Sequence, residues 1–117
     1  MNGVKRQALV IGAGPAGLMA AGALARGGCD VVVAEAKPSV ARKFLMAGKS
    51  GLNLTKDERL ERFLAAYHGS CVGLVREAVA GFGPEEVADW ARGLGQPVFT
   101  GSSGRVFPET MKGSPLL

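Results

Sequence analysis

The sequence has few of the residues that build metal centres, disulfide frameworks or base-stacking surfaces. Its 117 residues include 2 cysteines and 1 histidine, and Cys29 and Cys71 form neither a CxxC motif nor a zinc-ligand spacing. One tryptophan and one tyrosine offer little aromatic surface for nucleic-acid bases. The composition therefore argues against a zinc site and a redox disulfide, and we expect two reduced thiols in a cytoplasmic protein.

Acidic residues are outnumbered, because 14 Lys and Arg stand against 10 Asp and Glu and give a net charge of +4 at pH 7. The excess is concentrated in residues 37–56, which contain no acid. The basic residues of that segment are Lys37, Arg42, Lys43, Lys49 and Lys56. Such a segment suits a phosphate-bearing small ligand as well as a polymer. No groove-reading or stacking motif accompanies it, so we predict no nucleic-acid partner.

The chain lacks a convincing membrane segment. The uncharged run from Ala8 to Ala25 follows Lys5 and Arg6 and has the length of a signal peptide or a membrane span. Pro15 and several glycines interrupt it, and their spacing has a better explanation as a ligand-binding loop. We therefore predict no membrane association and a cytoplasmic location. Hydrophobic residues at 47% and charged residues at 21% are ordinary for one small globular domain.

The first 36 residues are predicted to form a β-α-β unit. Ala8–Ile11 is a short apolar run, typical of a strand buried on both faces. Leu18–Arg26 is rich in Ala, Leu and Met and predicts a helix, which two glycines end. Val31–Ala34 predicts a second buried strand. A crossover helix between two strands implies parallel, right-handed pairing, as in Rossmann-like α/β domains.

The loop after the first strand has the spacing of a dinucleotide-binding motif. Gly12 permits a tight turn, Gly14 leaves room for a pyrophosphate, and Gly17 lets the helix pack close to the strand. Free N–H groups at the helix N-terminus would face the phosphates. Glu35, at the end of the second strand, would accept the ribose hydroxyls and repel a 2′-phosphate. The first strand, the glycine loop, the helix, the second strand and the acidic residue follow one another in the order of a dinucleotide-binding unit. Dinucleotide binding is therefore favoured over a purely structural turn.

The remaining chain is predicted to consist of three segments. Residues 37–56 form an ordered, cofactor-proximal basic loop with a short helical turn near Lys43–Met46. Residues 57–95 are helical. Residues 96–108 form a β-hairpin around Gly101–Gly104.

Within the helical segment, capping residues predict where the helices begin. Thr55 and Glu58 fit a capping box, and Ser70 fits the cap of a second helix. Pro84 predicts the start of a third. Apolar stripes define the predicted inner faces; they comprise Leu60, Phe63, Leu64 and Tyr67, then Leu74, Val75, Ala78, Val79 and Phe82, then Val87, Trp90, Ala91 and Leu94.

The end of the sequence predicts an unfinished structure. Ser114-Pro115 is typical of a helix start. Two parallel strands are also fewer than a doubly wound sheet needs. We therefore expect an incomplete fold, the N-terminal part of a longer chain whose missing C-terminal part is a partner of this one.

Three segments carry a resemblance to a known family. After Glu35 comes Ala41–Thr55, with the letters ARKFLMAGKSGLNLT. Gly101–Pro108 reads GSSGRVFP, and Met111–Leu117 reads MKGSPLL. Together these segments resemble the YhiN-like flavoproteins, also called the aminoacetone oxidase or BaiN-like family of FAD-dependent oxidoreductases, in the subgroup that reads GSSGRVFP. The resemblance extends over the whole chain.

The resemblance implies a Rossmann-like FAD-binding domain with a helical insertion. It implies that FAD is bound near the glycine motif, Glu35 and the basic loop. Residues 1–117 alone are expected to bind FAD weakly or not at all. The predicted cofactor-binding residues are Gly12, Gly14, Pro15, Ala16, Gly17, Glu35, Ala36, Arg42, Lys43, Gly48, Gly51, Asn53 and Leu54. Two departures stand at Ala41 and Ser50, where the family often has glycine.

The chemistry that the resemblance implies is hydride transfer carried by the flavin. NAD(P)H is a candidate electron donor and the substrate is an unknown small molecule, while no residue is assigned a catalytic role. Two alternatives remain open from the residues alone. One is an NAD-binding module of another dehydrogenase, against which the helical insertion argues. The other is a nucleotide-binding module without chemistry of its own.

Overall fold

The computed structural model describes residues 3–117. The chain divides into two compact units, one ending at Met46 and the other spanning Ala47–Leu117. In chain order the elements are β1 (Gln7–Ile11), α1 (Pro15–Arg26), β2 (Asp30–Ala34), α2 (Arg42–Ala47), β3 (Thr55–Lys56), α3 (Leu60–Ala65), α4 (Val72–Gly81), α5 (Pro84–Gly93), β4 (Val98–Thr100), β5 (Arg105–Pro108) and a 3₁₀ turn at Ser114–Leu116. The predicted α/β class, with a β-α-β unit at its start, is confirmed.

The first unit contains the predicted parallel strand pair. β1 and β2 run in register from the pair Gln7 and Asp30 to the pair Ile11 and Ala34. α1 begins at Pro15, earlier than the predicted Leu18, because proline needs no N–H partner in the first turn of a helix. The helix ends as predicted, since the N–H of Gly27 donates to the carbonyl of Ala23 at 3.0 Å.

One face of this strand pair is exposed. Leu9, Ile11 and Val32 retain 63%, 83% and 64% of their accessible surface. Ala8 and Val10, which alternate with Leu9 and Ile11 along β1, are half-buried. The prediction of strands buried on both faces is therefore wrong for the described residues. The physical reason is that α1 packs against β1 and β2 and side chains alternate between the two faces of a strand.

The second unit contains a three-stranded antiparallel sheet in the order β3-β5-β4. The predicted hairpin is confirmed, with Phe99 paired to Phe107 across β4 and β5. Its turn is closed by the N–H of Gly101, which donates to the carbonyl of Arg105 at 2.8 Å. Gly104 has φ +84°, a left-handed conformation that favours glycine.

The core of the second unit lies between α5 and the sheet. α5 begins at Pro84, as predicted, and packs against β3 and β4. Its buried residues are the small Ala88 and Ala91. The other buried apolar residues of this unit are Leu52, Val106, Pro108 and Leu116. Small side chains on the helix allow the helix to approach the sheet closely.

The predicted capping box at Thr55 is wrong. Thr55 and Lys56 form β3, paired with Val106 and Arg105 of β5. The ladder continues on both sides, because the N–H of Leu54 donates to Val106 and the N–H of Asp57 donates to Gly104. Backbone pairing across the sheet therefore overrides the local cap, and α3 begins later, at Leu60.

The predicted Ser70 cap is also wrong, because α4 begins at Val72 with Cys71 before it and no side-chain cap. α4 has no buried residue, and Leu74 of its predicted inner face is 72% exposed. Tyr67 lies beyond the end of α3, although its ring still contacts that of Phe63 at a centroid distance of 6.0 Å.

An arginine ties α3 to α4. The Nε of Arg76 donates to the carbonyl of Leu64 at 3.0 Å, and its Nη2 donates to the carbonyl of Tyr67 at 2.8 Å. These carbonyls lie near the end of α3, where backbone oxygens lack helical partners. Arg76 therefore satisfies the helix terminus from a neighbouring element.

Candidate dinucleotide-binding site

The glycine-rich loop begins with a turn that requires glycine. Gly12 has φ +98°, a conformation that side chains rarely adopt. Its N–H donates to the carbonyl of Ala34 at 2.7 Å, which ties the end of β1 to the end of β2. The predicted turn at Gly12 thus has the backbone geometry expected of it.

Gly17 is required by packing. A Cβ atom on Gly17 would overlap the carbonyl oxygen of Gly12 and would approach Cγ1 of Val10 to 3.3 Å. The first turn of α1 therefore crosses close over the end of β1. This contact fixes where the helix N-terminus lies relative to the loop.

Gly14 has a different environment. Its φ of −83° and ψ of −175° are open to any residue, and a Cβ there would meet no atom of the described residues within 4 Å. The fold itself therefore tolerates a side chain at Gly14. The open space adjoins the start of α1, a helix of 12 residues. The N–H groups of its first turn have no partner within the helix and carry partial positive charge. Pro15 and Ala16 form its first turn.

Glu35 lies beside the same loop. Its Oε2 accepts the N–H of Ala13 at 2.7 Å and its Oε1 accepts the N–H of Lys37 at 3.2 Å. These bonds, the one from Ala13 foremost, hold the pKa of the Glu35 carboxyl below its ordinary value, because they stabilise the charged form. Partial desolvation opposes the effect but does not reverse it. Each carboxylate oxygen keeps a second lone pair for a further donor.

A cavity of about 440 Å³ connects these features. Five of its lining residues are among the predicted cofactor-binding set: Gly14, Pro15, Glu35, Arg42 and Lys43. Five were not in that set: Ala13, Lys37, Ser39, Ala41 and Met46. The basic run of the sequence was a signal for Lys37. Gly12, Ala16 and Gly17 shape the loop rather than line the cavity, and Ala36 is exposed next to Glu35.

Ala41 closes the loop that follows Glu35. It is 3% exposed and has φ +54°, which is uncommon for a residue with a side chain. Its N–H donates to the carbonyl of Ala13 at 2.7 Å, and its carbonyl accepts the N–H of Leu45 at 3.0 Å, which begins α2. α2 confirms the helical turn predicted near Lys43–Met46.

Gly48, Gly51, Asn53 and Leu54 belong to the second unit, and their proximity to the cofactor stays a prediction. The N–H of Leu52 donates to the carbonyl of Met111 at 3.0 Å. Gly51 has φ +131°. Asn53 is exposed, whereas Gly48 is buried and Leu54 is half-buried. This loop is thus held by its backbone against the segment that follows β5.

A second cavity, of about 480 Å³, lies between α5 and the sheet of the second unit. Four of its five charged residues have partners nearby: Lys56 pairs with Glu58 at 3.6 Å and Arg92 pairs with Asp89 at 2.8 Å. Asp57 accepts the hydroxyl of Thr100 at 3.4 Å. Three distant segments build this cavity, which is why sequence reasoning did not find it.

Residues 3–117 contain neither a metal-ligand cluster nor a helix suited to span a membrane. No group of three or more His, Cys, Asp or Glu side chains there could hold a metal ion. In the same residues, no helix has the length and apolar character needed to cross a bilayer.

Comparison with known families decides the assignment. A family model described as the HI0933-like protein Rossmann domain matches residues 6–117. The chain belongs to the HI0933-like family. This family is of the FAD-dependent oxidoreductase type. No curated protein matches the chain. The HI0933-like domain is therefore a Rossmann-type dinucleotide-binding module, in agreement with its β-α-β unit and glycine loop.

Proposed function

We propose that this HI0933-like domain binds FAD for a flavin-dependent oxidoreductase of the YhiN-like, or BaiN-like, type that reads GSSGRVFP. The observation that carries the proposal is one cavity with three matching features. Gly14 opens onto free space, the N-terminus of α1 adjoins that space, and the carboxylate of Glu35 lines the same cavity. A pyrophosphate and a ribose need these groups side by side.

In the proposal, the ADP part of FAD lies along the glycine loop. N–H groups at the start of α1, including that of Ala16, donate to the pyrophosphate, and the missing Cβ of Gly14 lets it approach. Glu35 accepts the ribose hydroxyls with its free lone pairs. Arg42 and Lys43, which line the same cavity, neutralise phosphate charge.

The bound flavin supplies hydride transfer, and this chain supplies position and electrostatics. Gly48, Gly51, Asn53 and Leu54 are proposed to lie near the cofactor. NAD(P)H as the electron donor, a small-molecule substrate and a cytoplasmic location also belong to the proposal. No residue of this chain is assigned a catalytic role.

The first test is the absorbance spectrum of the full-length protein that contains this domain, purified without added cofactor; the variants below are made in that protein. We expect flavin bands, and a released cofactor whose mass identifies FAD. A colourless protein that binds NAD and not FAD would contradict the proposal and would assign the loop to another class of dehydrogenase.

A matched pair of variants tests the position of the pyrophosphate. Gly14→Ala adds a methyl group to open space, so the fold should be retained while FAD affinity falls about tenfold or more. Gly73→Ala is the control, because a Cβ there also meets no atom within 4 Å and lies in α4 of the second unit. Equal FAD affinity in the two variants would contradict the assigned position.

A further inference from the structure

Ala13 is held at both of its backbone groups by the segment that follows β2. It is 0% exposed. Its N–H donates to Oε2 of Glu35 at 2.7 Å, and its carbonyl accepts the N–H of Ala41 at 2.7 Å. Glu35 and Ala41, which belong to the same segment of chain, thus both hydrogen-bond to one residue of the glycine-rich loop. We name these two residues and their bonds to Ala13 the Ala13 clamp.

We propose that the Ala13 clamp forms the phosphate-binding loop before a ligand arrives, so that Glu35 is a positioning residue for phosphate as well as a ribose contact. The proposal rests on the proposed function, because it concerns the same cavity. It adds a role for Glu35 that does not depend on ribose, and a role for Ala41 that nothing in the glycine motif indicates.

The loop needs such support because of its composition. Gly12 and Gly14 flank Ala13, and glycine loses more conformational entropy on ordering than any other residue. A ligand that had to order this loop itself would bind more weakly. The bond from Ala13 to a carboxylate is charge-assisted and stronger than a neutral one.

Glu35 is itself fixed in place. Its second oxygen accepts the N–H of Lys37 at 3.2 Å, so both carboxylate oxygens are held by backbone donors. The side chain is therefore oriented without help from a ribose. A carboxylate that served the ribose alone would not need to bond the loop.

Ala41 supports the same interpretation. A buried alanine at φ +54° is strained, and such strain persists where surrounding contacts impose it. Here the N–H bond to Ala13 and the start of α2 impose it. Ala41→Gly retains the N–H group and is the conservative variant that should preserve the clamp.

The decisive experiment compares two ligands. ADP carries the ribose hydroxyls, and 2′,3′-dideoxy-ADP lacks them. If Glu35 positions the loop, Glu35→Ala should weaken the binding of 2′,3′-dideoxy-ADP about tenfold and the binding of ADP by a larger factor. Glu61→Ala, which removes an exposed carboxylate of the second unit, is the control and should change neither affinity. Equal dideoxy-ADP affinity in the protein and in Glu35→Ala would overturn the positioning role.

A second readout needs no ligand. Amide hydrogen exchange at Ala13 should be at least about tenfold faster in Glu35→Ala, and intermediate in Glu35→Gln, which keeps one acceptor. Unchanged exchange would overturn the clamp. If Glu35→Ala does not fold, the same affinities and exchange rates are compared between Glu35→Gln, which weakens the clamp, and Ala41→Gly, which preserves it. Failure of the proposed function looks different, because the unaltered protein would then bind neither ADP nor FAD while its Ala13 amide stayed protected.

Discussion

The two compact units hold their shape by different means. In the first, the buried apolar residues are Ala13 and Ala41, and larger side chains such as Ile11 stay exposed among the described residues. In the second, larger side chains are buried, including Leu52 and Val106. The first unit is therefore ordered mainly by backbone bonds around a glycine loop, and the second by side-chain packing.

This difference predicts that the two units respond in opposite ways to substitutions that add atoms and to substitutions that remove them. A loop ordered by close backbone approach is damaged by atoms that are added. A packed core is damaged by atoms that are removed. Four predictions test this comparison.

Gly17→Ala should have the largest effect. The added methyl group would overlap the carbonyl oxygen of Gly12, which is backbone and cannot move aside alone. We expect a loss of about 3 kcal/mol or more in the free energy of unfolding, measured by chemical denaturation. The same substitution at Gly73, in an open helical position, should stabilise by about 0.5 kcal/mol. Similar stabilities for the two variants would break the comparison.

Leu52→Ala should have the next largest effect. Leu52 is 6% exposed in the second unit, so its truncation should cost about 2–3 kcal/mol of unfolding free energy. Leu9→Ala removes the same atoms from a side chain that is 63% exposed in the first unit and should cost less than about 1 kcal/mol. Thermal denaturation of both variants checks the pair. A larger loss at Leu9 than at Leu52 would contradict our account.

The pH dependence of the free energy of unfolding should reveal the contribution of Glu35. Its pKa is lowered by the N–H groups of Ala13 and Lys37, so its contribution to stability is present above the unfolded value of 4.5. That contribution decreases as the pH falls below 4.5, and it is lost once the pH is below the lower pKa of the folded state. A ¹³C NMR titration of the Glu35 carboxyl measures the midpoint. A midpoint at or above the ordinary value of 4.5 would show that the two bonds do not form. Glu35→Gln should lose this part of the pH dependence.

Ala41→Gly should have the smallest effect. Relief of the left-handed backbone conformation offsets the loss of a buried methyl group and the added chain entropy of glycine. We expect a change of less than about 1 kcal/mol in unfolding free energy by denaturant titration. A loss above about 2 kcal/mol would mean that the methyl group, rather than the N–H, is what Ala41 contributes.

Local patterns predicted the elements that depend on near neighbours. The turn at Gly12, the close packing at Gly17 and the position of Glu35 after β2 follow from spacing along a few residues. The start of α5 at Pro84 and the hairpin around Gly101–Gly104 are local in the same sense. The turns depend on conformations that glycine adopts readily, the start of α5 depends on proline, and the packing at Gly17 depends on the absence of a Cβ atom.

Features that join distant segments could not be predicted in this way. Thr55 satisfied a capping pattern, yet its backbone pairs with Val106, and that partner lies far along the chain. The exposure of Leu74 was missed because an apolar stripe does not reveal whether another element covers it. The bond from Ala13 to Glu35 depends on the register of β1 and β2.

The sequence by itself determined the β-α-β unit and its glycine loop, because steric limits on the backbone act over a few residues. Only the tertiary structure decided that Thr55 extends a sheet, that α5 covers it, and that Ala13 is held by Glu35 and Ala41. Those outcomes depend on which distant groups meet, and a hydrogen bond or a buried contact gains its free energy only when both partners are brought together.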